Sequence, residues 1–213
     1  MRRVHPIEIE SYRILRGLVD LSHMGPLSRA VAERVIHASA DLEYAESLVL
    51  DETALEAGLE ALRGGAPIVT DVGMVAAGIT ARETLCLVAD PRVKDLSERL
   101  GITRSATGFR LAAEEVGPGA LWVVGNAPTA LFELLELDAA PALVVGLPVG
   151  FVGAAESKEA LMESGLPAVV NHGRKGGSAV AAAALNAILY FNEAEGDRGG
   201  ASGSRIGGAG RSE

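Results

Sequence analysis

Two short apolar runs, Leu121–Val124 and Ala142–Leu147, constrain this chain more than any other feature. Each ends in a glycine loop, and each loop leads into a helical pattern. A continuous apolar run bounded by Gly and Pro suits a parallel strand buried on both faces. Strand, loop and helix, repeated, make the βαβ unit. Pro67–Thr70, Thr84–Ala89 and Pro167–Asn171 read as three further strands. The expected fold class is α/β: three layers, α/β/α, around a mainly parallel, about five-stranded Rossmann-like sheet. Ligands of open α/β sheets sit outside the carboxyl ends of the strands. The loops Gly125–Pro128 and Pro148–Gly153 should therefore lie side by side along one crevice.

The helical segments follow from apolar periodicity and end signals. Pro6–Leu21 carries Ile7, Ile14, Leu15, Leu18 and Leu21 as one stripe. Leu27–Ala38 opens behind Pro26, and Glu52–Arg63 stops at Gly64-Gly65. Val72–Ile79, Arg92–Leu100, Ser105–Val116 and Ala179–Phe191 complete the set, while Leu42–Leu50 fits either helix or strand. The helices before the first clear strand lie outside the simple pattern and could cover the crevice or make a dimer contact. Residues 1–193 read as one domain. The Gly- and Ser-rich tail, 194–213, is expected to be disordered, because it has too little apolar surface to offset its entropy.

A net charge of −9 over 213 residues argues against nonspecific binding to nucleic acid or to an anionic membrane. The N-terminus lacks a signal-like apolar core, and no run is long enough to span a bilayer, so a cytoplasmic location is expected. The lone cysteine, Cys86, falls in the apolar run TLCLVA and reads as a buried strand thiol.

Four groups of residues could carry chemistry. His37 ends a helical segment, where the macrodipole favours a protonated imidazole and general-acid work near neutral pH. A polar residue simply closing the helix fits the same position. The segment Asn171–Ser178, NHGRKGGS, joins a strand to a helix and combines Arg174 and Lys175 with paired glycines. Such a loop suits a carboxylate or phosphate, or is a plain solvated turn. Arg104, with Ser105 and Thr107, opens a helix; Thr80 and Arg82 have similar potential. Gly125-Asn126-Ala127-Pro128 and glycines 146, 150 and 153 allow a large flat ligand or another backbone to come close. Asp71, at a strand end, could cap a helix or meet a ligand. The spacing is not GxGxxG, and no Walker lysine, GxSxG elbow or metal-ligand cluster is present in the sequence, which weighs against nucleotide-dependent, hydrolytic and metal-dependent chemistry.

The segments SYRILR (Ser11–Arg16), VIHASAD (Val35–Asp41), DVGMVAAGIT, TRSATGF, GNAPTALFELLEL, GLPVGFVGAAESKEAL and GRKGGSAVAAAALNA resemble precorrin-8X methylmutases of cobalamin biosynthesis. The resemblance runs to about Phe191 and omits the tail. It implies an isomerase that moves a methyl group from C-11 to C-12 of precorrin-8X, giving hydrogenobyrinate by an acid-assisted, suprafacial sigmatropic shift. Cobalt-precorrin-8, giving cobyrinate, is the alternative substrate. A corrinoid carrier without activity is a second reading. The resemblance implies His37 as the acid and no cofactor or metal. It implies substrate contacts from Ser11, Arg13, Arg16, Thr80, Arg104, Gly125, Asn126, Gly150, Arg174 and Lys175, with the glycine loops donating backbone hydrogen bonds to carboxylates. It also implies a homodimer with sites at or near the subunit interface. Gly73 and His172 depart from the family pattern.

Overall fold

A computed structural model describes residues 5–191. The tail from residue 194 lies outside the described residues. In chain order the elements are α1 (Pro6–Leu18), α2 (Pro26–Ser39), α3 (Tyr44–Ser47), β1 (Leu48–Leu50), α4 (Glu52–Arg63) and β2 (Ile68–Thr70). Next come α5 (Gly73–Gly78), α6 (Pro91–Leu100), α7 (Arg104–Val116), β3 (Leu121–Val124), α8 (Pro128–Glu136) and β4 (Leu143–Gly146). The chain closes with α9 (Ala154–Glu163), β5 (Ala168–Asn171) and α10 (Ser178–Leu189). Among the described residues no helix is long and apolar enough to cross a membrane.

The sheet has five strands in the order β1-β5-β4-β3-β2. β2 to β5 are parallel, and β1 closes the edge antiparallel to β5, with Val49 opposite Val170. Alternation along each strand feeds two cores. Leu121, Val123, Leu143, Val145 and Val169 face one layer, where α2, α4, α5 and α10 pack. Trp122, Val124, Val144 and Val170 face the other, made by α7, α8 and α9.

Three expectations are corrected. Thr84–Ala89 is not a strand: it makes a single bridge, Leu85 to Val69, alongside β2 and then turns away. Its place in the count of five is taken by β1, from the ambiguous segment, so one strand is antiparallel. Cys86 accordingly lies on an irregular, half-buried stretch rather than in a buried strand. The first helix ends at Leu18, and its apolar residues divide. Leu15 and Leu21 are buried, whereas Ile7, Ile14 and Leu18 are 73%, 49% and 62% exposed. The spacing 7, 14, 18 is a stripe turned away from the chain's own core.

Two buried charges fix the loops at the carboxyl edge. Asp71, one residue past β2, accepts backbone N–H bonds from Gly125 (3.2 Å), Asn126 (2.7 Å) and Ala127 (2.7 Å) in the loop after β3. Burial pushes its carboxyl pKa up, and the three N–H donors oppose the shift. Lys158, on α9, is fully buried. Its ammonium donates to Asn171 Oδ1 (3.0 Å) and to the carbonyl of Lys175 (2.6 Å) in the loop after β5. Between these loops Gly125 lies hard against α10: a Cβ added there would stand 2.8 Å from the Ser178 Cα and 2.8 Å from a Val75 methyl.

Gly125→Ala should push α10 off the loop and destabilise the fold by about 1–3 kcal/mol, read as a lowered urea midpoint. An unchanged midpoint would show that the contact yields freely. Burial lowers the Lys158 pKa from 10.5 to about 8. Between those values the unfolded chain binds more protons than the native one, so stability rises with pH through that window. The contribution is roughly 3 kcal/mol at most. The unfolding free energy of wild type minus that of Lys158→Met should therefore increase between pH 7.5 and pH 10. A constant difference would contradict this charge burial.

Candidate functional site

His37 sits in the last turn of α2, two residues before its end. Two residues of α1 seat its ring. Ser11 Oγ lies 2.9 Å from Nδ1, and the Tyr12 ring stacks on the imidazole at 4.8 Å with 14° between planes. With Nδ1 engaged, Nε2 is the nitrogen left to meet a substrate. The two helices are bound together around this pair. Arg16 donates twice to the buried Glu33 (2.7 and 2.8 Å), and Arg34 donates to Glu8 (2.9 Å) and to the Tyr12 hydroxyl (3.3 Å). Stripe 8, 12, 15 of α1 faces α2, and the adjacent stripe 7, 11, 14, 18 faces outward. Ser11 therefore lies at the border between the His37 seat and the exposed apolar face.

Lys175 links this seat to the sheet. Its ammonium bonds Asp41 (2.6 Å) and Glu43 (2.7 Å), just past the end of α2. The pairing raises the Lys175 pKa and lowers that of Asp41. The backbone of the same loop is bonded on every side. Gly150 N–H donates to the Arg174 carbonyl (3.2 Å), Gly177 N–H to the Leu147 carbonyl (2.9 Å) and His172 N–H to the Ser47 carbonyl (2.9 Å). The loops after β4 and β5 are thus zipped together. Gly176 is required there, since a Cβ would collide with the Leu147 carbonyl.

The remaining candidates fall at different distances from His37. Arg104 is exposed at the first turn of α7. Its neighbour Thr103 bonds Thr129 at the start of α8 (2.8 Å), which keeps Arg104 on the carboxyl edge near Asn126. Arg174 is exposed on the loop after β5. Arg13 is exposed and paired with Glu10 along α1. Thr80 is not brought to the loops: its hydroxyl pairs with the Tyr190 hydroxyl (3.0 Å) at the far end of α10. Twelve residues of helix separate that end from Ser178, or about 18 Å. Arg82 closes α4 by donating to the carbonyls of Leu62 and Ala66.

Three of the loop N–H groups are already engaged. Those of Gly125, Asn126 and Gly150 are donated within the protein, to Asp71 and to the Arg174 carbonyl. Neighbouring parallel strands bring their loops within bonding distance of one another, and these groups satisfy each other. Lys158 carries no signal in the sequence, whereas Tyr12 stands next to Ser11 in SYRILR and Asp71 stands at a strand end, where it accepts the N–H groups of the loop that opens α8.

A family model described as precorrin-8X methylmutase matches residues 6–191. The chain is 45% identical over 196 residues to cobalt-precorrin-8 methylmutase of Salmonella typhimurium, covering 86% of this chain and 93% of that protein. It is 43% identical over 190 residues to precorrin-8X methylmutase of a Sinorhizobium species, covering 84% and 90%. A solved structure of precorrin-8X methylmutase from Thermus thermophilus superposes with a TM-score of 0.78 at 39% identity, covering 92% of this chain and all of that one. The matched span contains the whole sheet, both buried loop anchors and the His37 seat, so the chain belongs to the precorrin-8X methylmutase family.

Proposed function

We propose that this protein is an isomerase of cobalamin biosynthesis in which His37 donates the proton that assists methyl migration from C-11 to C-12. The substrate is precorrin-8X, or cobalt-precorrin-8. The rearrangement is intramolecular, so no external methyl donor takes part. The protein must hold a conjugated, polycarboxylate macrocycle and place one proton on it. The observation that carries the reading is the seat of His37: Nδ1 bonded to Ser11, one face on Tyr12, and Nε2 left over. A fixed ring gives a fixed direction of proton donation, and general acid catalysis contributes about 10²–10⁴ in rate.

Arg174 and Arg104, both exposed, are the cations that would meet substrate carboxylates. Lys175 meets a carboxylate only in competition with Asp41 and Glu43. Arg16 is committed to Glu33 and serves the site through the α1–α2 contact. A water-soluble, multiply charged substrate suits a cytoplasmic enzyme.

A second copy of the chain completes this reading as a homodimer. Ile7, Ile14 and Leu18 form an exposed apolar stripe that includes Ser11, so a partner seated on α1 comes within reach of the His37 seat. Such a stripe is costly to leave in water.

Absorbance reads the reaction, because moving the methyl group alters the conjugated system. Wild type should convert one of the two substrates. His37→Ala should lose about 10²–10⁴ in kcat while binding product within threefold of wild type. Retained turnover by His37→Ala removes the acid role, and binding of both corrinoids without conversion by wild type makes the protein a carrier. Leu18→Glu should turn a dimer into a monomer in sedimentation and lower activity. A wild type that is monomeric and fully active would refute the shared site.

A further inference from the structure

Lys158 has no counterpart in the reaction chemistry, yet it is a fully buried cation at the centre of the carboxyl edge. It stands on the second turn of α9, below the loop that carries His172, Arg174 and Lys175. Its two bonds go to that loop's root, Asn171 Oδ1, and to its crown, the Lys175 carbonyl. Asn171, itself buried, then donates from Nδ2 to the carbonyls of His172 (3.0 Å) and Lys175 (3.1 Å). The result is a loop with its carbonyl oxygens turned inward and with the side chains of His172 and Arg174 turned to solvent. That orientation has a chemical meaning. Carbonyl oxygens facing a polycarboxylate would repel it, whereas here they are drawn down onto an ammonium.

We infer that Lys158 is the positioning residue of the substrate loop: by holding the Lys175 carbonyl and Asn171 inward, it presents the 172–177 segment to a carboxylate side chain of the macrocycle. This rests on the functional reading above. Lys158 is covered on all sides and makes its contribution through the loop it holds. The role concerns binding, because the loop meets the end of the helix that bears His37 through the exposed Lys175 pairs with Asp41 and Glu43, while the imidazole itself bonds Ser11. Burial also gives the charge its force, since a cation shielded from water acts over a longer range on an anion outside. The lowered pKa of Lys158 is the counterpart of that burial. A neutral amine keeps two N–H donors, so the loop remains held when the proton is lost.

The test compares the full chain with Lys158→Met, which keeps an unbranched apolar stem one atom shorter and removes the donors. Amide hydrogen exchange of the ligand-free proteins reads the loop directly. Exchange in 172–177 should rise at least tenfold in the variant, while β3 and β4 stay within twofold. KM for the converted substrate should rise at least tenfold, with kcat within threefold. A globally weakened fold would instead raise exchange throughout the sheet, and that outcome, or unchanged exchange in the loop, overturns the assignment. Faster loop exchange with unchanged KM also overturns it, because the loop would then be held for no substrate. If wild type binds neither hydrogenobyrinate nor cobyrinate, the functional reading itself fails, and the exchange data separate that failure from this one. Should Lys158→Met not fold, the 15N resonance of the Lys158 ammonium is followed in wild type during titration with the product. A saturable shift supports the role, and an unmoved resonance rejects it.

Discussion

Two buried charges of opposite sign hold the working edge of this protein in place. Asp71 takes three backbone N–H groups from the loop after β3, and Lys158 takes a carbonyl and an amide oxygen from the loop after β5. Each is expensive to bury and is tolerated because its neighbours complete its hydrogen bonds. The choice of sign is dictated by the backbone each must meet. A loop opening a helix presents N–H groups and calls for an anion; a loop whose carbonyls turn inward calls for a cation. Between them the loop after β4 is tied without a charge of its own, since the Gly150 N–H and the Leu147 carbonyl bond directly to the next loop.

The seat of His37 is organised on a different scale. His37 is seated by two amphipathic helices that owe their mutual position to Arg16–Glu33 and Arg34–Glu8, and its ring is fixed by Ser11 and Tyr12. Sheet edge and helix pair are separately built halves of one site. Lys175, reaching Asp41 and Glu43, joins them, so the loop after β5 is tied to the end of the helix that bears His37. The pair is exposed and correspondingly weak, unlike the two buried anchors.

The outward stripe of α1 follows the same logic. A helix with one buried and one bare apolar stripe has spent only half of its hydrophobic surface on its own fold. Periodicity predicted one stripe, and it did so because it groups residues by angle without knowing how many partners a helix has. The true division, Leu15 inward and Ile7, Ile14 and Leu18 outward, required the position of α2.

Local pattern settled much of this protein. The runs LWVV and LVVG are strands because nothing in them tolerates water, and Glu52–Arg63 begins and ends where its capping residues say. The place of His37 at a helix end, the βα rhythm and the family resemblance were all legible in the residues themselves. Only the tertiary structure decided the rest, for physical reasons that range cannot reach. Thr84–Ala89 has strand-forming residues but no strand to pair with beyond one bridge, while Leu48–Leu50 gains its strand from β5, more than a hundred residues away. Gly125, Asn126 and Gly150 look like free N–H donors in sequence, but in space their N–H groups are taken by Asp71 and by the Arg174 carbonyl. A lysine in ESKEAL looks like a solvated charge, and Asp71 after IVT like a cap or a ligand contact; both are buried because distant backbone comes to meet them. Propensity and periodicity are set within a few residues, whereas pairing, burial and the spending of hydrogen bonds are settled between segments that meet only when the chain is folded.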